Sequence, residues 1–409
     1  MKVMLVHKFF YIEGGAERYF FNLYQLLEEQ GIEVVPFAMA HPRNQPSPYS
    51  DYFVDYFEPD KELAHLGLVN GLRAAARVIY NRPAQRRIEA LIDAVQPDIA
   101  HVHGVYHHLS PSVLRSMKKK NLPVIFTLHE YKILCPDYLF LDRHGRVCER
   151  CAGRHFWHAT ANRCFRQSWA ASALVTAESY VHRFLRTYQN CVDLYLSPSR
   201  FLRDKMILYG YPAAKIEWLP YTIPIADYTP NYESQDYFVY VGRLSHEKGV
   251  AELVRAMRRF NKGRLKVVGQ GRLGESLQDF VHQQGLNHVE FLGYRQGEEL
   301  RQIVQNAQFV VVPSVVYDNS PLAVYEAFAL GKPVLGARIG GIPELIDEGE
   351  DGFLFEAGDE DGLVHGLERL YECRDRWGQM GRNARRKAEE LFSPQNHMQR
   401  INEIYRRFL

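Results

Sequence analysis

The sequence predicts an α/β protein of two halves, each a parallel sheet flanked by helices. Three observations carry this prediction. Short β-branched runs alternate with amphipathic helical patterns almost throughout, the signature of strand–helix–strand units. A chain of 409 residues is too long for one ordinary core and suggests two domains. Residues 220–236, with Pro220, Pro224 and Pro230 and no clear periodicity, separate the halves and read as a hinge.

The elements follow in order. Residues 1–219 carry strand candidates at KVMLVHK, IEVVPFA, PDIAHVHG, PVIFTLHE and DLYLSPS. The first helix places Ala16, Tyr19, Phe20, Leu23, Leu26 and Leu27 on one face, and Gly31 stops it. Residues 135–190 break the rhythm and read as a cysteine-rich insertion with a long helix. The second half, 237–392, has strand candidates at YFVYVGRL, RLKVVGQG, HVEFLG, FVVVPS, PVLGA and GFLFE. Residues 393–409 form an amphipathic helix (Met398, Ile401, Ile404, Tyr405) after a Ser-Pro break, expected to return to the first domain.

Composition narrows the classes. With 46% hydrophobic and 24% charged residues, the chain reads as globular and water-soluble. A net charge of +2 gives no nucleic-acid footprint. No run of about 18 apolar residues is long enough to span a bilayer. The start, MKVMLVHKFF, turns polar too soon for a signal peptide. Six cysteines without a secretion signal then point to the cytoplasm.

The segment SVVYDNSPLAVYEAFALGKPVLGARIGGIPE is the richest in chemistry. A strand ending at Val312 runs into a loop, and Pro321 opens a helix. Backbone N–H groups of Asn319, Ser320 and Leu322 at that helix start suit an anion. Glu326, further along, is placed to accept hydrogen bonds from a ribose diol, and Asp318 in the loop to reach a sugar hydroxyl. In YFVYVGRLSHEKGV, Gly242 permits a tight turn while Arg243 and Lys248 aim two cations at a strand end, suiting a diphosphate. Gly269 in VVGQG and Tyr294 after FLG end the next two strands, where glycine lets a flat base approach the backbone. In the first half, Gly14-Gly15 lies where such folds put a phosphate loop, and His129-Glu130 ends a parallel strand.

GRLSHEKG, then DNSPLAVYEAFALGKPV and GGIPELI, resemble the donor half of glycosyltransferase family four. These are retaining enzymes of the GT-B fold, two Rossmann-like domains facing each other across a cleft. The resemblance covers nearly the whole chain. It implies transfer of a sugar from a nucleotide-diphosphate sugar to a hydroxyl of a glycan or lipid-linked glycan, with the leaving phosphate accepting the proton. It implies diphosphate binding by Arg243 and Lys248, ribose binding by Glu326, and sugar and phosphate contacts from Asp318 through Asn319, Ser320, Pro321 and Leu322. Tyr294 would lie near the base, Gly15 would close over the phosphates, and His129 would approach the sugar from the other domain. His129, Asp318, Arg243 and Lys248 are thus the expected catalytic set, with no cofactor required. One departure is Asp318, where the family usually has glutamate. An epimerase or hydrolase on the same scaffold, or a silent nucleotide-sugar-binding protein, are the rival readings.

Cys135, Cys148, Cys151 and Cys164 are separated by twelve, two and twelve residues, around a central Cys-x-x-Cys knuckle. A structural zinc ion is the leading expectation; an iron–sulfur cluster and unligated thiols stay open, and His144, His155 or His158 could replace one sulfur. Some polysaccharide glycosyltransferases of the family are similar here, with HEYKILCPDYL before the knuckle. Glu178 and His182, four apart on the inserted helix, would line the acceptor site or form a surface pair. Arg73, Arg77, Arg82, Arg86 and Arg87 with Lys118 to Lys120 form either a face toward the inner membrane surface, for a lipid-linked acceptor, or a solvated helix face.

Overall fold

The computed structural model describes residues 1–58 and 68–409. It divides into two compact units, Met1–Leu219 with Met398–Leu409, and Pro220–His397. Among the described residues each unit is built on one six-stranded sheet whose paired strands all run parallel.

The first sheet comprises β1 (Lys2–Val6), β2 (Glu33–Phe37), β3 (Ile99–Val102), β4 (Val124–Thr127), β5 (Leu194–Ser197) and β6 (Ile216–Trp218), in the order β2-β1-β3-β4-β5-β6. Val3 to Val6 are fully buried, as are all four residues of β3. Strands covered on both faces need such continuous apolar runs, which is why they stand out in the sequence. β6 was not anticipated. It is a three-residue edge strand, paired with β5 from Tyr195↔Ile216 to Ser197↔Trp218, too short for periodicity to mark it.

The first helix runs from Gly15 to Glu29 and ends before Gly31, whose φ of +72° only glycine adopts without strain. Tyr19, Phe20, Leu23 and Leu27 are buried, Ala16 and Leu26 only half so. Glu17 is buried beside them, an acidic residue where the apolar pattern predicted none. Residues 135–190 hold the long helix Trp169–Phe184, capped by Ser168, whose hydroxyl accepts the Ala171 N–H. The closing helix, Pro394–Arg406, buries Met398, Ile401, Ile404 and Tyr405. Tyr405 Oη lies 2.7 Å from His101 Nδ1, and His101 Nε2 lies 2.7 Å from Thr127 Oγ1, so the tail is pinned to β3 and β4.

The second sheet comprises β7 (Phe238–Val241), β8 (Leu265–Val268), β9 (Val289–Gly293), β10 (Val310–Val312), β11 (Val334–Ala337) and β12 (Gly352–Phe355). Their order is β12-β11-β10-β7-β8-β9. Counted within the unit this is the Rossmann order, whose direction reverses between the first and fourth strands. The first sheet reverses likewise between β1 and β3. A parallel sheet opens a crevice at the carboxyl ends of strands flanking such a reversal, which marks where to look for chemistry in each unit. No helix among the described residues is long and apolar enough to cross a membrane.

Tyr405→Phe keeps the ring but removes the hydroxyl that meets His101 Nδ1 in a fully buried setting. Unfolding by urea should show a loss of about 1–3 kcal/mol; an unchanged midpoint would mean the hydroxyl contributes nothing to holding the tail.

Candidate functional site

In the second unit the backbone assembles the site first. Gly242 N–H donates to Val268 O (3.0 Å), and Gly269 N–H donates to Gly293 O (2.8 Å), aligning the ends of β7, β8 and β9. Gly269 has φ +140°, and a Cβ there would sit 1.9 Å from Gly242 O. Only glycine lets these strand ends close together. Arg243 follows Gly242 immediately. It is exposed, its carbonyl accepts the Tyr240 hydroxyl (2.8 Å), and its guanidinium meets no carboxylate among the described residues. Tyr294 follows Gly293, is 56% exposed, and donates to Gln296 Oε1 (3.2 Å).

A second tie joins β7 to β10 across the reversal. After a single turn at His246–Lys248, Gly249 adopts φ +67°, and a Cβ there would lie 1.7 Å from Pro313 O. This holds Lys248 Nζ 2.6 Å from Asp318 Oδ2, which also accepts the Ser314 hydroxyl (3.0 Å). The Asp318 backbone is fixed as well. Gly341 N–H donates to its carbonyl (2.8 Å), and a Cβ on Gly340 would come within 2.3 Å of that oxygen. Lys248 and Asp318 were expected to serve diphosphate and sugar separately, yet they form an ion pair with each other.

Asn319 and Ser320 are buried, with Ser320 Oγ 2.6 Å from Tyr325 Oη. Pro321 is not inside the helix as expected. Its extended ψ of 118° makes it the cap, and the helix is Leu322–Ala329. Glu326 is half-buried on that helix and accepts the Tyr228 hydroxyl at 3.2 Å. Arg243, Gly269 and Tyr294 therefore share one sheet edge, and Lys248 and Asp318 are directly bonded.

In the first unit, histidines end three neighbouring strands. His7 follows β1, His103 follows β3 and His129 lies just beyond β4. The rings of His101, His103 and His129 stack in a row, with centroids 4.5 and 5.2 Å apart. His103 Nδ1 lies 3.0 Å from His129 Nε2, while His103 Nε2 is buried with no hydrogen-bond partner. Burial, reinforced by the Lys8 charge, holds His129 down to about 3, and burial likewise holds His7 and His103 well below the ordinary imidazole value. All three are neutral at pH 7. Glu17 Oε2 accepts the Gly14 N–H (2.9 Å), tying the helix start at Gly15 to this cluster, and Glu17 Oε1 lies 3.4 Å from His7 Nε2. Sequence reasoning singled out His129 and Gly15 but missed His7, Glu17 and His103. The available signal was that KVMLVHK, PDIAHVHG and PVIFTLHE each have histidine as the next-to-last residue.

The inserted residues correct one expectation. Glu178 and His182 are not a surface pair; both are buried, on the wall of a small recess. Glu178 Oε2 lies 2.7 Å from Lys132 Nζ, itself buried, and His182 Nε2 bonds Ile79 O at 2.7 Å. A buried ammonium requires such a counter-charge. Of the four cysteines, Cys135 and Cys151 are buried and Cys148 and Cys164 half-buried. Cys151 and Cys164 pack with Phe156 and Ala159 in a small apolar cluster. Burial, with the neighbouring Cys148 adding, pushes Cys151 up to about 12; burial, then Asp137 and the other thiols, does the same for Cys164. Among the described residues no three His, Cys, Asp or Glu side chains meet closely enough to hold a metal ion. The basic patch is partly neutralised. Lys118, Lys119 and Lys120 pair with Asp193, Glu89 and Asp93, and Arg77 stacks on Phe57.

Comparison with known proteins bears on this site. The model described as Glycosyltransferase Family 4 matches residues 13–226, and that described as Glycosyl transferases group 1 matches 225–387. The chain is 27% identical over 327 residues to sulfoquinovosyl transferase SQD2 of Arabidopsis thaliana, covering 74% of this chain and 56% of that protein. It is 26% identical over 246 residues to an uncharacterized glycosyltransferase, MJ1607, of Methanocaldococcus jannaschii, covering 54% and 62%. The chain thus spans little more than half the length of these relatives. Sucrose-phosphate synthase of Thermosynechococcus elongatus superposes with a TM-score of 0.74 at 18% identity, covering 99% of this chain and 98% of that one. Alr3699/HepE of Anabaena, solved in complex with UDP-glucose, gives 0.64 at 19% identity, covering 99% of each. Two Rossmann-like units of this kind define the GT-B fold of glycosyltransferases. The chain belongs to glycosyltransferase family 4.

The depressed His129 has a signed consequence. Its folded value, about 3, lies below the unfolded value near 6.5, so its contribution is present above pH 6.5 and lost as pH falls toward 3. His129→Asn should flatten the pH dependence of unfolding free energy in that window by up to about 1.4 kcal/mol per pH unit. Parallel slopes for wild type and variant in urea titrations at several pH values would show that His129 ionises normally.

Proposed function

We propose that the chain transfers a sugar from a nucleoside-diphosphate sugar to a hydroxyl of a glycan or lipid-linked glycan, with retention of configuration. The observation carrying this reading is Arg243, an exposed guanidinium without a carboxylate partner, set at the sheet reversal on a strand end closed by Gly242 and Gly269. Such a cation is preorganised for charge that grows on a departing diphosphate. Lys248 adds a second positive charge, oriented by Asp318. Loss of the sugar–phosphate bond leaves negative charge on the diphosphate and positive charge on the sugar. The two cations stabilise the first, and the Asp318 carboxylate, through a sugar hydroxyl, steadies the second.

Glu326, held by Tyr228, accepts the ribose hydroxyls, and Tyr294 offers its exposed ring to the base. Asn319, Ser320, Pro321 and Leu322 supply sugar and phosphate contacts, and Gly15 lets the first unit's helix start approach phosphate. His129 contacts the sugar as a neutral imidazole, a hydrogen-bond partner rather than a proton reservoir. Retention follows from the family likeness, with the leaving phosphate accepting the acceptor's proton. Uridine is the favoured base, since neighbours of this fold were solved with UDP or UDP-glucose.

Thermal shift with UDP, GDP, ADP and dTDP tests the donor site. UDP at about 100 times its Kd should stabilise the second unit by about 2.7 kcal/mol, and Arg243→Ala should abolish most of that shift. No shift with any nucleotide would remove the donor site and the proposal with it.

We also propose that Cys135, Cys148, Cys151 and Cys164 hold a structural zinc ion. Support comes from their thiol chemistry, from the Cys-x-x-Cys spacing with Cys135 and Cys164 on either side, and from the packing of Cys151 with Cys164 in one small cluster. Elemental analysis of purified protein should find about one zinc per chain. A content near zero in protein folded and prepared without chelator would refute it.

A further inference from the structure

The inserted segment carries a surface that the transfer reaction does not use. Trp169, Tyr180 and Phe184 lie on one side of the helix Trp169–Phe184, within about 60° of each other at 100° per residue. They are 63%, 39% and 87% exposed, and Trp157, 52% exposed, donates its backbone N–H to Tyr180 Oη. The opposite side of the helix buries Val175, Glu178 and His182, while Ser172 and Thr176, nearer the aromatic row, are buried against Phe156 and Thr160 of the preceding segment. Four large aromatic groups in water, gathered on one short segment, are unlike the scattered apolar residues of an ordinary surface.

Charge says what covers them. Residues 135–190 hold eight arginines and four carboxylates, Asp137, Asp142, Glu149 and Glu178. Asp142 pairs with Arg146, Glu149 with Lys205 and Glu178 with Lys132. Arg154, Arg163, Arg183 and Arg186 meet no carboxylate among the described residues. Arg154 and Arg183 also border a small recess of about 30 Å³, room for about one water, walled by Lys132, Glu178, Tyr209 and Tyr211. Aromatic rings beside uncompensated arginines suit a boundary that is apolar below and anionic at its surface. A protein partner would need carboxylates and an apolar socket together, whereas an acidic bilayer supplies both by construction.

We propose that Trp157, Trp169, Tyr180 and Phe184, flanked by these arginines, dock the protein on an anionic lipid bilayer. This rests on the reading of a lipid-linked acceptor for its purpose, and it places the membrane face on the inserted helix. The helices bearing Arg73 and Arg86, considered from sequence alone, are not part of it. Trp and Tyr rings lie at headgroup level, and Phe184 enters the acyl boundary.

The test is co-sedimentation of the full chain with vesicles of phosphatidylcholine containing about 30% phosphatidylglycerol, against phosphatidylcholine alone. Wild type should pellet with the acidic vesicles at about 0.1 M salt and be largely released at about 0.5 M. Trp169→Ser combined with Phe184→Ser should weaken binding about tenfold or more, and so should Arg154→Gln with Arg183→Gln. Leu72→Ser with Arg73→Ser should bind as wild type. All these side chains are exposed or half-buried, and a retained UDP-induced thermal shift certifies each fold. Wild type that ignores acidic vesicles, or aromatic variants that bind them unchanged, would overturn the proposal. A concentration-dependent dimer broken by Trp169→Ser/Phe184→Ser without vesicle binding would overturn it in favour of a self-association surface. Vesicle binding without any nucleotide shift would instead sink the donor-site reading and leave this one standing.

Discussion

The second unit depends on backbones approaching where no side chain fits. Gly269 lies against Gly242 O, Gly249 against Pro313 O, and Gly340 against Asp318 O, each closer than a Cβ could stand. These three contacts draw the ends of β7, β8 and β10 and the loop after β11 onto one point of the sheet edge. Arg243, Lys248 and Asp318 inherit their positions from that closure. A side chain at any of the three glycines would push the strand ends apart and carry the charges with them.

The first unit solves a different problem with different chemistry. Its strand ends carry imidazoles packed too tightly and too dry to ionise, and Glu17 is kept beside them by the same burial that raises its own affinity for a proton. The second unit's strand ends therefore carry Arg243 and Lys248, while the first unit's carry imidazoles held neutral near pH 7 beside the Lys8 charge.

Much of this was legible in the sequence. Eleven of the twelve strands announced themselves as buried β-branched runs, and Gly31 and the Ser-Pro break marked helix ends. β6 escaped because three residues at an edge carry no periodicity. At the site, Arg243, Lys248 and Asp318 stand out as charge in loops after apolar strands, and Glu326 as a carboxylate inside an otherwise apolar helix. What sequence could not give was pairing: that Lys248 and Asp318 bond each other, or that Glu178 turns inward to Lys132, depends on which elements meet in space. Glu17 was overlooked for the same reason, since a glutamate in a first helical turn ordinarily faces water.

The tail bears on how such a chain comes off the ribosome. Residues 398–409 complete the core around His101, yet they are made roughly 180 residues after Leu219 closes the rest of that unit. The whole of Pro220–His397 emerges in between and has every strand it needs. The later half of the polypeptide therefore has its full set of elements while the earlier half still lacks the helix that brings Tyr405 to His101. The unit begun first is the unit completed last.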